Sequence, residues 1–127
     1  MFEVMVEGNF SSAHAMRLKS GEREGLHGHN YVVQVFARGE RLDEIGILID
    51  FKDLKAAMNR VLSELDHQIL NEIAPFADKR NTTVENIAAY ILKEIARLVD
   101  SSQARICKVR VWDTDHSSAT YELTAGE

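Results

Sequence analysis

Two apolar stripes of helical period occupy the middle of the chain: Phe51, Leu54, Ala57, Met58, Val61, Leu62, Leu65, and then Val84, Ile87, Ala88, Ile91, Leu92, Ile95, Val99. Recurrence at three and four residues puts each set on one helix face, and such a face has to be buried against something. Asp50 stands where the first helix needs a cap. The second begins at Asn81-Thr82-Thr83, where Thr82 and Glu85 have the spacing of a capping box. The flanks carry a different period. Residues 2–12 alternate, with Phe2, Val4, Val6 and Phe10 on one parity and Glu3, Glu7 and Asn9 on the other. Residues 28–38, 105–113 and 118–124 read as further strands, the last two joined by the turn Thr114-Asp115-His116-Ser117. The run Ile47-Leu48-Ile49 reads as an edge or bulge piece, and 13–26, with LKSGEREG, as a charged loop. The order ββααββ implies an α+β fold, with both helices on one face of a four-stranded antiparallel sheet. The other sheet face stays wet unless another subunit covers it, so an oligomer is expected.

With 127 residues, 45% hydrophobic and 28% charged, the chain can bury a core. It has no repeat or linker, so one domain over 1–127 is expected. A formal charge of −5 argues against nucleic acid as a partner. No apolar run reaches the roughly 20 residues that span a bilayer, and the acids of MFEVMVEGNF stand where a secretory signal would be basic. Cys107 is the lone cysteine, which suits a reducing compartment. A cytoplasmic protein with no membrane partner is expected.

Within this frame, His27-Gly28-His29 is out of place as core filling. On a strand the two imidazoles point to one face, their Cβ atoms about 7 Å apart at a rise of ~3.3 Å per residue. A lone His-x-His is commonly incidental. His14 closes the first strand, however, and a hairpin across the 15–26 loop would bring it beside the other two. Three neutral imidazoles with an open fourth position make a catalytic zinc site. Gly28 would leave space on the opposite face or let backbone approach closely. Cys107 shares a strand face with Val109 and Val111 and reads as core.

The stretches FSSAH, LHGHNY, GILIDFKDLK, LDHQIL and NTTVENIA, in that order, resemble the 6-pyruvoyl-tetrahydropterin synthase family, which includes the 6-carboxytetrahydropterin synthases. The resemblance covers nearly the whole chain. It implies the tunnelling fold, an oligomeric barrel of trimers stacked into a homohexamer, with active sites at subunit junctions. It further implies Zn2+ on His14, His27 and His29, and 7,8-dihydroneopterin triphosphate as the small-molecule substrate.

Two departures stand out. Most members carry a catalytic cysteine four or six residues before the first histidine of HGH, where this chain has Arg23 and Gly21. One branch uses a glutamate three residues before it instead, which matches Glu24. A carboxylate beside a dication can serve as the base; otherwise Glu24 is one more charge in Glu22-Arg23-Glu24. The family anchors the pterin's two-donor edge on a glutamate in a Glu-Thr pair, and here that place holds Asp113-Thr114. Either the pocket is drawn in by about 1.5 Å, or Asp113 only ends a strand. Asp66-His67 matches the family's proton relay, although a histidine after a helix is also favoured by the dipole. Thr82, Thr83 and Glu85 match a block that contacts the pterin, here in addition to a helix cap. His116 reads as exposed. The resemblance implies a lyase releasing 6-hydroxymethyl-7,8-dihydropterin, with the 6-carboxy and 6-pyruvoyl products as alternatives. A non-catalytic pterin- or metal-binding relative is the reading from a different class.

Overall fold

The computed structural model describes residues 1–124. Its elements are β1 (Phe2–His14), β2 (His27–Gly39), α1 (Phe51–Leu65), a 3-10 turn (Leu70–Glu72), α2 (Val84–Val99), β3 (Arg105–Thr114) and β4 (Ser117–Glu122). The strands form one antiparallel sheet in the order β1-β2-β3-β4. The ββααββ arrangement expected from the two periods is the one observed. β1 and β2 extend past the alternating stretches and pair without a break from Phe2↔Gly39 to His14↔His27. What read as the start of a loop is therefore ladder.

Both helices lie on one sheet face, α1 against β1 and α2 against β3 and β4. Leu54, Met58, Leu62, Ile87, Ile91 and Ile95 meet Val6, Phe10, Tyr31, Val33, Val35, Val109 and Val111 in one apolar core. Phe51 and Phe2 open their patterns but stay about half exposed, at 52% and 47%. On the face away from the helices, Gln34 donates to Glu7 and accepts from the Trp112 indole. Lys108 and Arg110 lie over Phe36 and Trp112 there, 4.7 and 4.4 Å from the ring centroids. Asp50 caps α1, accepting from the Lys52 N–H.

Three local expectations are corrected. The cap of α2 is Thr83, whose hydroxyl accepts from the Asn86 N–H, so no Thr82–Glu85 capping box forms. Thr82 is instead fully buried, its carbonyl facing His14. Ile47-Leu48-Ile49 is not part of the sheet. It leaves a turn in which Gly46 has φ 81 and the Asp43 carboxylate accepts from Ile45 and Ile47. The Gln103 amide then donates to the Ile47 and Leu48 carbonyls, which strand pairing would otherwise use. Lastly, Cys107 is not core. Phe36 pairs with Lys108 but Ala37 with Ile106, so Cys107 is the extra residue of a β-bulge. Ile106 takes the buried place beside Val109 and Val111, while the half-buried thiol lies 3.5 Å from the Phe36 carbonyl. Burial raises its pKa, which makes it a poor nucleophile.

Gly39 ends β2 where the chain crosses the 101–104 loop. A Cβ built there would fall 2.6 Å from Leu48 Cδ1 and against the Gln103 carbonyl. Gly39→Ala should therefore lower unfolding stability by about 1–3 kcal/mol in a denaturant titration. Gly25→Ala, where an added methyl meets nothing within 4 Å, should stay within about 0.5 kcal/mol of the parent.

Candidate metal centre

The β1–β2 register sets His14 directly across from His27, and His29 across from Ser12. All three imidazoles fall on the core side of the pleat, at the end of the sheet beyond the Phe10–Tyr31 stack. Ring centroids are 4.7 Å apart for His14–His27, 5.1 Å for His14–His29 and 4.9 Å for His27–His29. One nitrogen from each lies within 4.8 Å of the others, a group that could hold a metal ion.

The neighbours decide which nitrogen is offered. His14 Nδ1 is 2.8 Å from the Thr82 carbonyl, and His27 Nδ1 is 2.8 Å from the Gly25 carbonyl. A carbonyl only accepts, so both Nδ1 atoms carry the hydrogen and both Nε2 atoms present a lone pair. Metal-binding histidines are held in this way. His14 Nε2 is buried with no hydrogen-bond partner among the described residues, an orphan that a metal bond would satisfy. Burial, above all, lowers the His14 pKa against the opposing bond to Thr82, with the neighbouring His27 and His29 adding to the drop. The ring is thus kept neutral, as a ligand has to be.

Glu24 reaches this group from the loop. Its carboxylate accepts from the Met16 N–H at 3.0 Å and its own N–H donates to the Met16 carbonyl at 3.0 Å. The same carboxylate oxygen lies 3.7 Å from His27 Nε2. On either side of Met16 two asparagines act as substitute strands. Asn71 takes both the N–H and the carbonyl of Ala15, at 2.9 and 2.8 Å. Asn81 does the same for Arg17, at 2.8 Å each, and also accepts from the Thr82 N–H. Neither amide has a sequence signal as a site residue, because asparagine beside a helix is an ordinary turn former.

Asp66 and His67 occupy the far edge of β1. The Ser11 N–H donates to Asp66 Oδ1 at 2.8 Å, and Asp66 Oδ2 is 2.9 Å from His67 Nδ1. The Ser11 N–H first, and then His67, hold the Asp66 carboxyl below the usual range. His67 has φ 57, a left-handed backbone uncommon outside glycine. It is 82% exposed, in an open groove that also contains Gly28, His29 and Asn30.

The ladder ends at Val32↔Trp112, and one step beyond it on their strands stand Tyr31 and Asp113, near enough for the Asp113 charge to act on the phenol. Asp113 is the extra residue of a second bulge, against β4. Tyr31 Oη and Asp113 Oδ1 are both buried without a partner among the described residues. Burial, then the Asp113 and Glu24 charges, push the phenol pKa well up, so Tyr31 stays a hydrogen-bond donor. Sequence reasoning missed this tyrosine because its 3.3 Å pleat position marks it only as core. Thr82 stands behind His14 and the Thr83 hydroxyl is engaged in the helix cap. His116 is exposed, as expected.

A family model described as 6-pyruvoyl tetrahydropterin synthase matches residues 3–124. The 6-carboxy-5,6,7,8-tetrahydropterin synthase of Haemophilus influenzae is 31% identical, over 96% of this chain and 99% of its own. The dihydroneopterin monophosphate aldolase of Pyrococcus furiosus is 32% identical, over 87% and 88%. Among solved structures, a Plasmodium vivax 6-pyruvoyltetrahydropterin synthase with a catalytic glutamate replaced by alanine superposes with a TM-score of 0.78, at 25% identity over 94% and 96% of the two chains. With the whole described chain matched and the histidine group in place, this protein belongs to the 6-pyruvoyl tetrahydropterin synthase family of pterin-processing lyases.

Proposed function

We propose that the chain is a zinc-dependent lyase that cleaves 7,8-dihydroneopterin triphosphate to 6-hydroxymethyl-7,8-dihydropterin, using Glu24 where most relatives use cysteine. The observation that carries this reading is the Glu24 carboxylate, 3.7 Å from His27 Nε2 and fixed there by Met16. The Plasmodium vivax relative, whose catalytic residue mutant replaces a glutamate, supports it.

His14, His27 and His29 would hold the zinc through one nitrogen each. When bound, zinc polarises the side-chain hydroxyls and makes their protons easier to remove. Breaking the bond between the first and second side-chain carbons requires two proton movements. Glu24 takes the proton of the second carbon's hydroxyl, which becomes the aldehyde of the departing two-carbon phosphate ester. His67, oriented by Asp66, delivers a proton to the first carbon, which stays on the ring as the hydroxymethyl group. Asp113 accepts from the paired N–H donors of the pterin edge, and the buried, unpartnered Tyr31 hydroxyl is a further donor to the substrate. Thr82 supports His14 from behind, so contact with the pterin from this pair falls to Thr83. The second reading is 6-carboxytetrahydropterin formation, favoured by the Haemophilus relative's activity but not by the absence of the cysteine.

Assembly into a hexamer of two trimers is part of the proposal. β4 and the part of β1 before Ser11 leave open sheet edges, and Met5 is exposed on the face away from the helices. A cytoplasmic setting accords with the lone cysteine, and no helix among the described residues is long and apolar enough to cross a membrane.

Two outcomes are expected. Purified protein should contain close to one zinc per chain by elemental analysis. Retention at neutral pH should give way to release as pH falls below the ordinary imidazole value of 6.5, because protons compete for the same lone pairs; His14→Ala should lose the metal at every pH. Second, Glu24→Gln can still accept from Met16 and keep the loop in place, but cannot take a proton. Its turnover should drop about 10²- to 10⁴-fold with metal content intact. Glu22→Gln, a solvated charge in the same loop, should change turnover little. Equal turnover in both variants would remove Glu24 from the mechanism.

A further inference from the structure

The loop that carries Glu24 also brings together a set of cations with no carboxylate partner among the described residues. Arg17 and Arg23 face each other in an isolated antiparallel bridge, closed by Leu18 N–H to the Glu22 carbonyl. The Arg17 guanidinium then donates to the Asp78 and Lys79 carbonyls, at 3.3 and 3.1 Å, and so draws the 78–80 turn onto the same place. Asn81, bonded to both sides of the Arg17 backbone, locks the two segments together. Lys19, Arg23 and Lys79 are exposed and Arg80 half-buried.

Segments 15–24 and 78–81 thus hold five cations (Arg17, Lys19, Arg23, Lys79, Arg80) against three carboxylates (Glu22, Glu24, Asp78), a net +2 on a chain whose total is −5. Elsewhere Arg38, Arg97, Arg105 and Lys108 each have a carboxylate within 3.7 Å. Like charges at facing strand positions repel; Arg17 has a fold role there through its bonds to the Asp78 and Lys79 carbonyls, but the Arg23 side chain has no hydrogen bond or ion pair among the described residues. An anion beside them would turn that repulsion into attraction, with the free guanidinium fork of Arg23 suited to phosphoryl oxygens.

The position of the cluster says which anion. Its segments are the ones that build the histidine group: Arg17 follows His14 by three residues, Arg23 precedes Glu24, and Arg80 precedes Thr82, whose carbonyl orients His14. In a dihydroneopterin phosphate the phosphorylated carbon is next to the hydroxyl-bearing carbons that the metal would hold. We propose that Arg17, Lys19, Arg23, Lys79 and Arg80 form the subsite for the phosphoryl groups of the substrate's side chain. Five cations exceed what one phosphate needs, so the subsite prefers a triphosphate to a monophosphate. The inference rests on the proposed pterin chemistry for the substrate's identity, but not for the presence of an anion site.

The test uses the Arg23→Gln/Arg80→Gln double variant, because neither side chain makes a hydrogen bond or ion pair that holds the fold among the described residues. The ratio of kcat/KM for 7,8-dihydroneopterin triphosphate to that for unphosphorylated 7,8-dihydroneopterin should fall at least tenfold, mainly through KM for the triphosphate. Lys55→Gln, an exposed charge on α1, should leave the ratio within twofold. Calorimetry with inorganic tripolyphosphate, metal content being checked after each titration, gives a readout that needs no turnover. The parent should bind it and the double variant at least tenfold more weakly, with both affinities falling as salt rises. An unchanged ratio together with equal tripolyphosphate binding overturns the subsite and leaves the lyase reading standing. If the parent turns over neither substrate, the lyase reading fails, and tripolyphosphate binding alone decides for or against the cluster.

Discussion

The β1–β2 ladder is the constraint on which the rest depends. Thirteen consecutive residue pairs run from Phe2↔Gly39 to His14↔His27 without a bulge. A strand exposes alternate residues to each face, so an uninterrupted ladder carries one parity from end to end. Val6, Phe10, Val33 and Val35 are on the helix side because the apolar faces of α1 and α2 have to be covered. His14, His27 and His29 are on that side only because they share the parity. A slip of one residue would turn the histidines out to solvent along with the core. Burial of the hydrophobic face thereby enforces the geometry of the polar group.

Much of this was legible in the sequence. Periods of 3.6 and 2 are distinct signals, and they separate helices from strands whatever the tertiary context. What escaped was detail at the level of a single residue. Thr82 and Thr83 both suit a helix cap. The choice falls to Thr83 because the Thr82 carbonyl is taken by His14, a partner 68 positions away. Ile106 and Cys107 are both apolar, and alternation counts pairs without revealing which strand carries an extra residue. The bulge at Cys107 settles that by placing Ile106 inside. Ile47-Leu48-Ile49 has strand composition, yet its carbonyls pair with a glutamine side chain.

The candidate site divides in the same way. The grouping of the three histidines follows from spacing, pleat and the β1–β2 hairpin, whereas Glu24 stands out only through the resemblance to the family branch that uses a glutamate three residues before HGH. The tautomers of His14 and His27 do not, since they depend on the carbonyls of Thr82 and Gly25. Tyr31 reads as core until its hydroxyl is seen to be buried without a partner among the described residues. Asp66 and His67 were identifiable as a pair, but the left-handed backbone that turns His67 back onto its own carboxylate was not.

The hydrogen bonding of residues 15–17 bears on how the centre would handle an ion. Every N–H and carbonyl of this segment is already engaged, by Asn71, by Glu24 and by Asn81. The ordering of the chain around His14 therefore draws on protein groups alone, and a cation bound there would have little backbone freedom left to freeze out. Small domains that rely on zinc to fold lose their architecture to a chelator. Here protein hydrogen bonds hold the segment around His14, so an ion bound by the histidines could exchange while the socket keeps its shape.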